Sequence, residues 1–298
     1  MTDKLASRFK ERIKHNNFLY LVFYIPIHVR RFLLSLRTRY AEKDYQSVMQ
    51  AIIYGTVAVY VEGFGGVFEF DARSEILKRI ILYREYEKEN LNIIDTHLDL
   101  DKDVLDIGAN VGLFSVYFAK KISQGCHVLA IEPTINASGL LEKNLQNNNV
   151  ADSVIVYKGV ASNVAGIYNL KVIAGKEEYS TLGGNINQTH VHDYLPEEIS
   201  VSGNTVDRLV DKYGLIPGFL KIDTEGAEYL VLQGSEMTLR AYHPAILAEV
   251  MDNYLINFGH SASQVVDFLR QLGYRVVDIS TDEPPLFPFN GEILAIAE

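Results

Sequence analysis

The chain has a single cysteine, no apolar run long enough to cross a bilayer and no overall excess of positive charge. One thiol, Cys126, excludes an internal disulfide framework and fits a reducing compartment, so a cytoplasmic location is expected. The most apolar early stretch, Phe18 to Ile27, is ten residues long, whereas a spanning helix needs about 20. No small-residue cleavage site follows it, so it does not read as a secretory signal. Internal repeats and low-complexity linkers are also missing. A net charge of −10 argues against a general nucleic-acid binder, which usually carries a basic excess.

What is present is an ordinary globular composition, 48% hydrophobic and 22% charged, on a chain long enough for one large domain or two small ones. The charge is uneven. Residues 1–43 carry a local +7, which leaves −17 on the rest. This basic, partly apolar arm has three readings: a helical cap over an active site, a dimerisation element that makes a homo-oligomer, or a peripheral contact with an anionic membrane surface. Helical packing is the preferred one.

The first hundred residues read as mainly helical, with apolar residues at helical spacing in Phe32–Leu36 and in Ile76, Leu77, Ile80 and Ile81. Thr56 to Phe70, β-branched, aromatic and broken by Gly63, Gly65 and Gly66, suggests a hairpin. Residues 1–70 are therefore assigned to a helical and hairpin extension, and 71–298 to the main domain. From residue 103 apolar runs alternate with amphipathic segments. Val104–Ile107, Val128–Ile131, Val154–Tyr157, Phe219–Ile222, Ala245–Val250, Arg275–Ile279 and Glu292–Ala297 read as strands, with helices such as Leu113–Ile122 and Ala137–Leu145 between them. That alternation implies an α/β fold with a mostly parallel sheet covered on both faces. Ser261 and Gln264 have capping-box spacing, and Gly273 ends the helix they open. Residues 163–204 break the rhythm and read as inserted strands or loop.

In such sheets ligands bind beyond the carboxyl ends of the strands. Asp106-Ile107-Gly108-Ala109-Asn110-Val111-Gly112 lies there, between the first strand and its helix. Gly108 permits a tight turn, Gly112 close packing of the helix start, and the helix N-terminus offers free N–H groups to a carboxylate. Glu132, ending the second strand, is placed to accept hydrogen bonds from two ribose hydroxyls. A nicotinamide fingerprint wants G-x-G-x-x-G, but Asn110 stands at the second glycine position. Asp106 would repel a pyrophosphate, yet it could hold the ammonium of a methionine moiety. The signs favour S-adenosylmethionine. The plainer alternative, that Asp106 and Asn110 only cap a turn, stands for those two alone and weakens beside Glu132.

Three strings in this order resemble the FkbM-type methyltransferases: the loop above, then Ile131-Glu132-Pro133, then Leu220-Lys221-Ile222-Asp223-Thr224-Glu225-Gly226-Ala227-Glu228. Tyr86-Glu87 and Ala248-Glu249-Val250 add weaker matches, and the similarity covers roughly residues 70–298. The resemblance implies a class I methyltransferase (Rossmann-like) fold, a seven-stranded sheet with the last strand antiparallel. It also implies O-methylation of a hydroxyl, often on a sugar or polyketide, with S-adenosylmethionine as cofactor. Asp106 and the backbone of 108–112, with Gly108, Ala109, Asn110 and Gly112, would surround the methionine part, Glu132 the ribose, and Gly159 and Val160 the adenine. Tyr86, Glu87, Pro133 and Asp223 complete the expected cofactor set.

Methyl transfer needs alignment of the acceptor oxygen and removal of its proton. Asp223, Glu225 and Glu249 are the candidates, with Asp223 first and equally able to hold the cofactor. Glu228 suits the first turn of a helix near Gly226. His190-Val191-His192-Asp193 would align two imidazoles if extended, but no third ligand is evident, and no metal is expected. The expected function is O-methyl transfer to a hydroxyl of a sugar, glycan or secondary metabolite. A nicotinamide-dependent oxidoreductase and a non-catalytic scaffold of the same fold are the alternatives. The partner is a small-molecule or glycan acceptor, not nucleic acid.

Overall fold

The computed structural model describes residues 55–183 and 195–298. The basic arm and the His190–Asp193 string lie outside these residues. Two hairpin strands, β1 (Thr56–Val61) and β2 (Gly66–Asp71), lead into helices α1 (Glu75–Tyr83) and α2 (Lys88–His97). Strands β3 (Asp103–Ile107), β4 (Val128–Ile131) and β5 (Val154–Tyr157) then alternate with α3 (Leu113–Ala119) and α4 (Ile135–Asn147). Three further strands, β6 (Val160–Ala161), β7 (Gly166–Val172) and β8 (Glu197–Asn204), form a small separate sheet. The main sheet resumes through α5 (Val206–Tyr213), β9 (Pro217–Ile222), α6 (Glu228–Gln233), α7 (Glu236–Tyr242) and β10 (Ala245–Met251). It ends with α8 (Asp252–Leu255), α9 (Ala262–Gln271), β11 (Tyr274–Asp278) and β12 (Asn290–Ala297).

Seven strands pair in the order β11-β12-β10-β9-β3-β4-β5. The pairs from β10 to β5 are parallel, while β12 runs antiparallel to both β10 and β11. This is the class I methyltransferase arrangement, a Rossmann-like α/β sheet with the last strand reversed. Its strands carry apolar residues on both faces because helices cover both. Leu105, Ile107, Leu220 and Ile222 pack into one core with Val231, Leu232 and Val265. Val104 and Phe219 face the other with Val116 and Phe118. Strand order reverses between β3 and β9, and the crevice at that switch point is where such sheets bind ligands.

Local chemistry sets the element ends. The Ser74 hydroxyl accepts from the Leu77 N–H and opens α1. Ser261 and Gln264 make the reciprocal capping box of α9, and Gly273, at φ +84, follows its end. The hairpin contributes Phe64, Phe68 and Phe70, all buried in the core that holds Phe118 and Val104. Phe64 meets Phe114 edge-on at 5.1 Å between centroids. Each such side chain contributes roughly 1.5–3 kcal/mol by burial, and residues 54–298 form one compact unit. The hairpin is therefore part of that unit, and the boundary expected at residue 70 falls ahead of it.

Candidate functional site

The turn after β3 is held from below and from the side. Gly108 adopts φ +84, and a Cβ there would lie 1.7 Å from the Asp223 carbonyl oxygen, so only glycine allows the β3 and β9 loops to approach so closely. The Asp223 N–H donates to the Ile107 carbonyl at 2.9 Å and ties the same two strand ends together. Asn110 takes φ +49, its side-chain oxygen accepting from the Val111 N–H. Its own N–H donates to Glu132 Oε2 at 3.0 Å. The other Glu132 oxygen accepts from both the N–H and the hydroxyl of Thr134. A carboxylate offers about four acceptor positions, so three are used within the protein and one remains for a ligand hydroxyl. Burial pushes Glu132 up to about 7 against those three donors.

Asp106 lies beneath the turn and is 1% exposed. Ser115 donates to its Oδ2, while Oδ1 is buried without a hydrogen bond. Burial raises its pKa, opposed mainly by Lys221, which stands opposite it in the β3–β9 register. The Lys221 ammonium contacts Asp223 Oδ2 at 3.0 Å and lies 4.5 Å from the centre of the Phe114 ring. Burial disfavours the charge on this lysine, but Asp223, Glu87 and Asp106 outweigh it and hold it protonated.

One cleft gathers most of the residues read from the sequence. Tyr86, Glu87, Gly108, Ala109, Asn110, Glu132, Pro133, Gly159 and Val160 line it, together with Asp223, Glu225 and Glu249. Asp106 and Gly112 stand behind its wall rather than on it. Asp223, Glu225 and Glu249 form a tight group at the ends of β9 and β10, with a carboxylate oxygen from each within 4.8 Å of the others. Burial and then repulsion from Asp223 push Glu225 up to about 10 and Glu249 to about 9.

Glu228 does more than suit a helix dipole. Its Oε1 accepts from the N–H and hydroxyl of Thr224 and from the N–H of Gly226, folding the 223–226 loop around one carboxylate oxygen. His243 is an exposed helix-ending residue at φ +46, away from the cleft.

Sequence reasoning gave Lys221 no role, although a lysine inside the apolar run of β9 must find a partner if buried. It also missed Arg79, Glu177, Glu178 and Tyr179, which complete the wall. The last three come from the inserted region, where no spacing pointed to the cleft.

A family model for the methyltransferase FkbM domain matches residues 106–276, more than half of the chain. The chain belongs to this family. Among curated relatives, Methyltransferase 1 of Beauveria bassiana is 28% identical over 153 residues, 45% of this chain and 58% of that protein. AMB antimetabolite synthetase AmbE of Pseudomonas aeruginosa is 26% identical over 204 residues, 59% of this chain and 10% of that protein. The chain thus spans little more than half of the first relative and a tenth of the second. Among solved structures, methyltransferase FkbM from Methylobacillus flagellatus is 15% identical with a TM-score of 0.42, over 66% of this chain and 43% of that one. O-methyltransferase TomG from Streptomyces achromogenes is 14% identical with a TM-score of 0.40, over 72% of this chain and 80% of that one.

Proposed function

We propose that this FkbM-family chain is an S-adenosylmethionine-dependent methyltransferase that acts on a hydroxyl of a sugar, glycan or secondary metabolite. The observation that carries the reading is Glu132 on the cleft wall beside the Gly108 turn, with three of its acceptor positions used within the protein and one left for a ligand. That position suits a ribose hydroxyl, and the buried Asp106 beneath the turn adds negative charge that disfavours the phosphates of a nicotinamide cofactor. The acidic lining also favours a positively charged sulfonium.

When bound, the cofactor supplies an electrophilic methyl carbon: the acceptor oxygen bonds to it and the carbon–sulfur electron pair stays on sulfur. The chain must orient that oxygen and remove its proton. Asp223 is the carboxylate for this task, on the cleft wall with Lys221 as its counter-ion. Glu225 and Glu249, with pKa values near 10 and 9, hold their own protons at neutral pH and act as hydrogen-bond donors. Tyr86 and Glu87 line the same cleft.

Methyl-labelled S-adenosylmethionine incubated with the chain and a cell extract tests this. Label should enter a small-molecule or glycan fraction, and Asp223→Asn should slow it at least about 100-fold. Label only in nucleic acid or protein would contradict the acceptor class, and no label at all would favour the scaffold reading.

A further inference from the structure

We propose that Arg79 and Ser180 bind an anionic oxygen group of the acceptor, so that the methylated molecule carries a carboxylate or a phosphate besides its hydroxyl. This rests on the methyl-transfer reading and narrows its acceptor class. Two basic side chains line the cleft, Arg79 and Lys221. Lys221 is engaged by Asp223 at 3.0 Å. Arg79, exposed on α1, makes no ion pair or hydrogen bond among the described residues. It lies 6.0 Å from the centre of the Tyr86 ring, a contact that engages none of its five N–H donors in a hydrogen bond.

Three acids in the same wall are engaged elsewhere. Glu75, one turn before Arg79 on α1, pairs with Lys78 at 3.2 Å and with Lys176 at 3.4 Å. Glu178 accepts from the Glu75 N–H, and Glu177 accepts from the Asn136 side chain and the Gly175 N–H. The Arg79 guanidinium therefore does not hold this wall together, and its planar fork is shaped to receive a carboxylate or a phosphate.

Ser180 is the second observation. It lines the same cleft, yet its Oγ is buried with no hydrogen bond among the described residues. A buried hydroxyl left so is unfavourable until a ligand oxygen accepts from it. The segment that carries it is fastened on both sides. Glu177 meets Asn136 at the head of α4, near the Glu132 end of the cleft. The Thr181 hydroxyl lies 3.3 Å from the Glu225 carbonyl oxygen. Ser180 thus stands one residue from the tie to the loop of Asp223 and Glu225, on the acceptor side. Tyr179, next to it, feels the charges of both Glu225 and Arg79, which puts the guanidinium near the same end. Glu225 and Glu249 keep their protons at neutral pH, so an anion there does not face their charges. Held by this pair, the acceptor presents its hydroxyl to Asp223 in a fixed orientation.

The test uses methyl-labelled S-adenosylmethionine, the full chain and a cell extract, and follows label that enters only when the chain is added. The expected product is retained on an anion exchanger. Phosphatase abolishes retention if the group is a phosphate, and carbodiimide amidation does so if it is a carboxylate. In Arg79→Gln the amount of extract that supports half the maximal rate should rise at least about tenfold, with a smaller rise in Ser180→Ala. Affinity for S-adenosylhomocysteine, by calorimetry, should be unchanged in both. Arg270→Gln, a surface arginine on α9, should behave as the parent. Thermal melting confirms folding, and Arg79→Lys, which keeps the charge but not the fork, should give an intermediate rise. A neutral labelled product, or an unchanged extract requirement in folded Arg79→Gln, would overturn the proposal. So would lost S-adenosylhomocysteine affinity in that variant, which assigns Arg79 to the cofactor's own carboxylate. No label from the parent chain sinks the methyl-transfer reading as well, whereas a neutral product sinks this inference alone.

Discussion

At the scale of single residues, the cleft is a problem in electrostatics. Seven acids (Glu87, Asp106, Asp223, Glu225, Glu228, Glu249 and Glu292) surround the Lys221 ammonium directly or through one another. The protein meets the cost by keeping protons on Glu225 and Glu249. Both have folded pKa values far above the ordinary carboxylate value, so between about pH 4.5 and 9 the folded chain holds protons that the unfolded chain has lost. The unfolded state binds fewer protons in that window, so stability falls as pH rises through it. Glu225→Gln should flatten this decline: its melting temperature should match that of the parent near pH 4.5 and exceed it by a few degrees near pH 9. Equal melting curves at pH 9 would show that the Glu225 carboxyl carries no such burden. Asp106 and Glu132 were legible in the sequence because an acid at a strand end beside a glycine turn has few structural reasons to be there. Lys221 was visible only as a letter in a motif, since apart from Asp223 two residues on, the charges that hold it come from β3 and from the loop before α2.

At the scale of elements, the cofactor turn is held by a residue outside any motif. Asn144, in α4 and fully buried, accepts from the Glu69 N–H at 2.7 Å and donates to the Glu69 and Val111 carbonyls at 3.0 and 2.9 Å. One amide therefore fastens the hairpin strand β2 to the turn that carries Asn110 and Gly112. Asn144→Ala removes the partner of the buried Val111 carbonyl and of the half-buried Glu69 N–H and carbonyl, and should cost about 2 kcal/mol by chemical denaturation. It should also weaken S-adenosylhomocysteine binding, because the turn loses its support. A loss below 0.5 kcal/mol, roughly the scatter of surface substitutions, would show the bridge to be dispensable. Sequence patterning found the hairpin from its β-branched and aromatic run, but not that it shares a core with the sheet. Alternation marks Phe68 and Phe70 as facing inward without saying which surface they meet. The region from 163 to 204 was legible only as an interruption, because β7 pairs with β8 across a long connection and its acids reach the cleft only through that pairing.

At the scale of the whole molecule, the sheet order was legible because strand–helix alternation permits few topologies, and the three motif strings fall at the ends of β3, β4 and β9, beside the switch point. The acceptor was not legible, because part of the cleft wall comes from the inserted region, where no motif falls. Among the described residues no helix is long and apolar enough to cross a membrane.

The central claim is that the Gly108–Gly112 turn, with Asp106 below and Glu132 beside it, selects a methionine-derived cofactor. Titration calorimetry of the full chain with S-adenosylhomocysteine and, separately, with NAD tests it directly. The account predicts one S-adenosylhomocysteine bound per chain with an affinity between about 1 μM and 1 mM, the usual range for enzyme ligands, no heat from NAD, and binding lost in folded Asp106→Ala and Glu132→Ala. Tight binding of NAD with none of S-adenosylhomocysteine, or unchanged affinity in both variants, would contradict it.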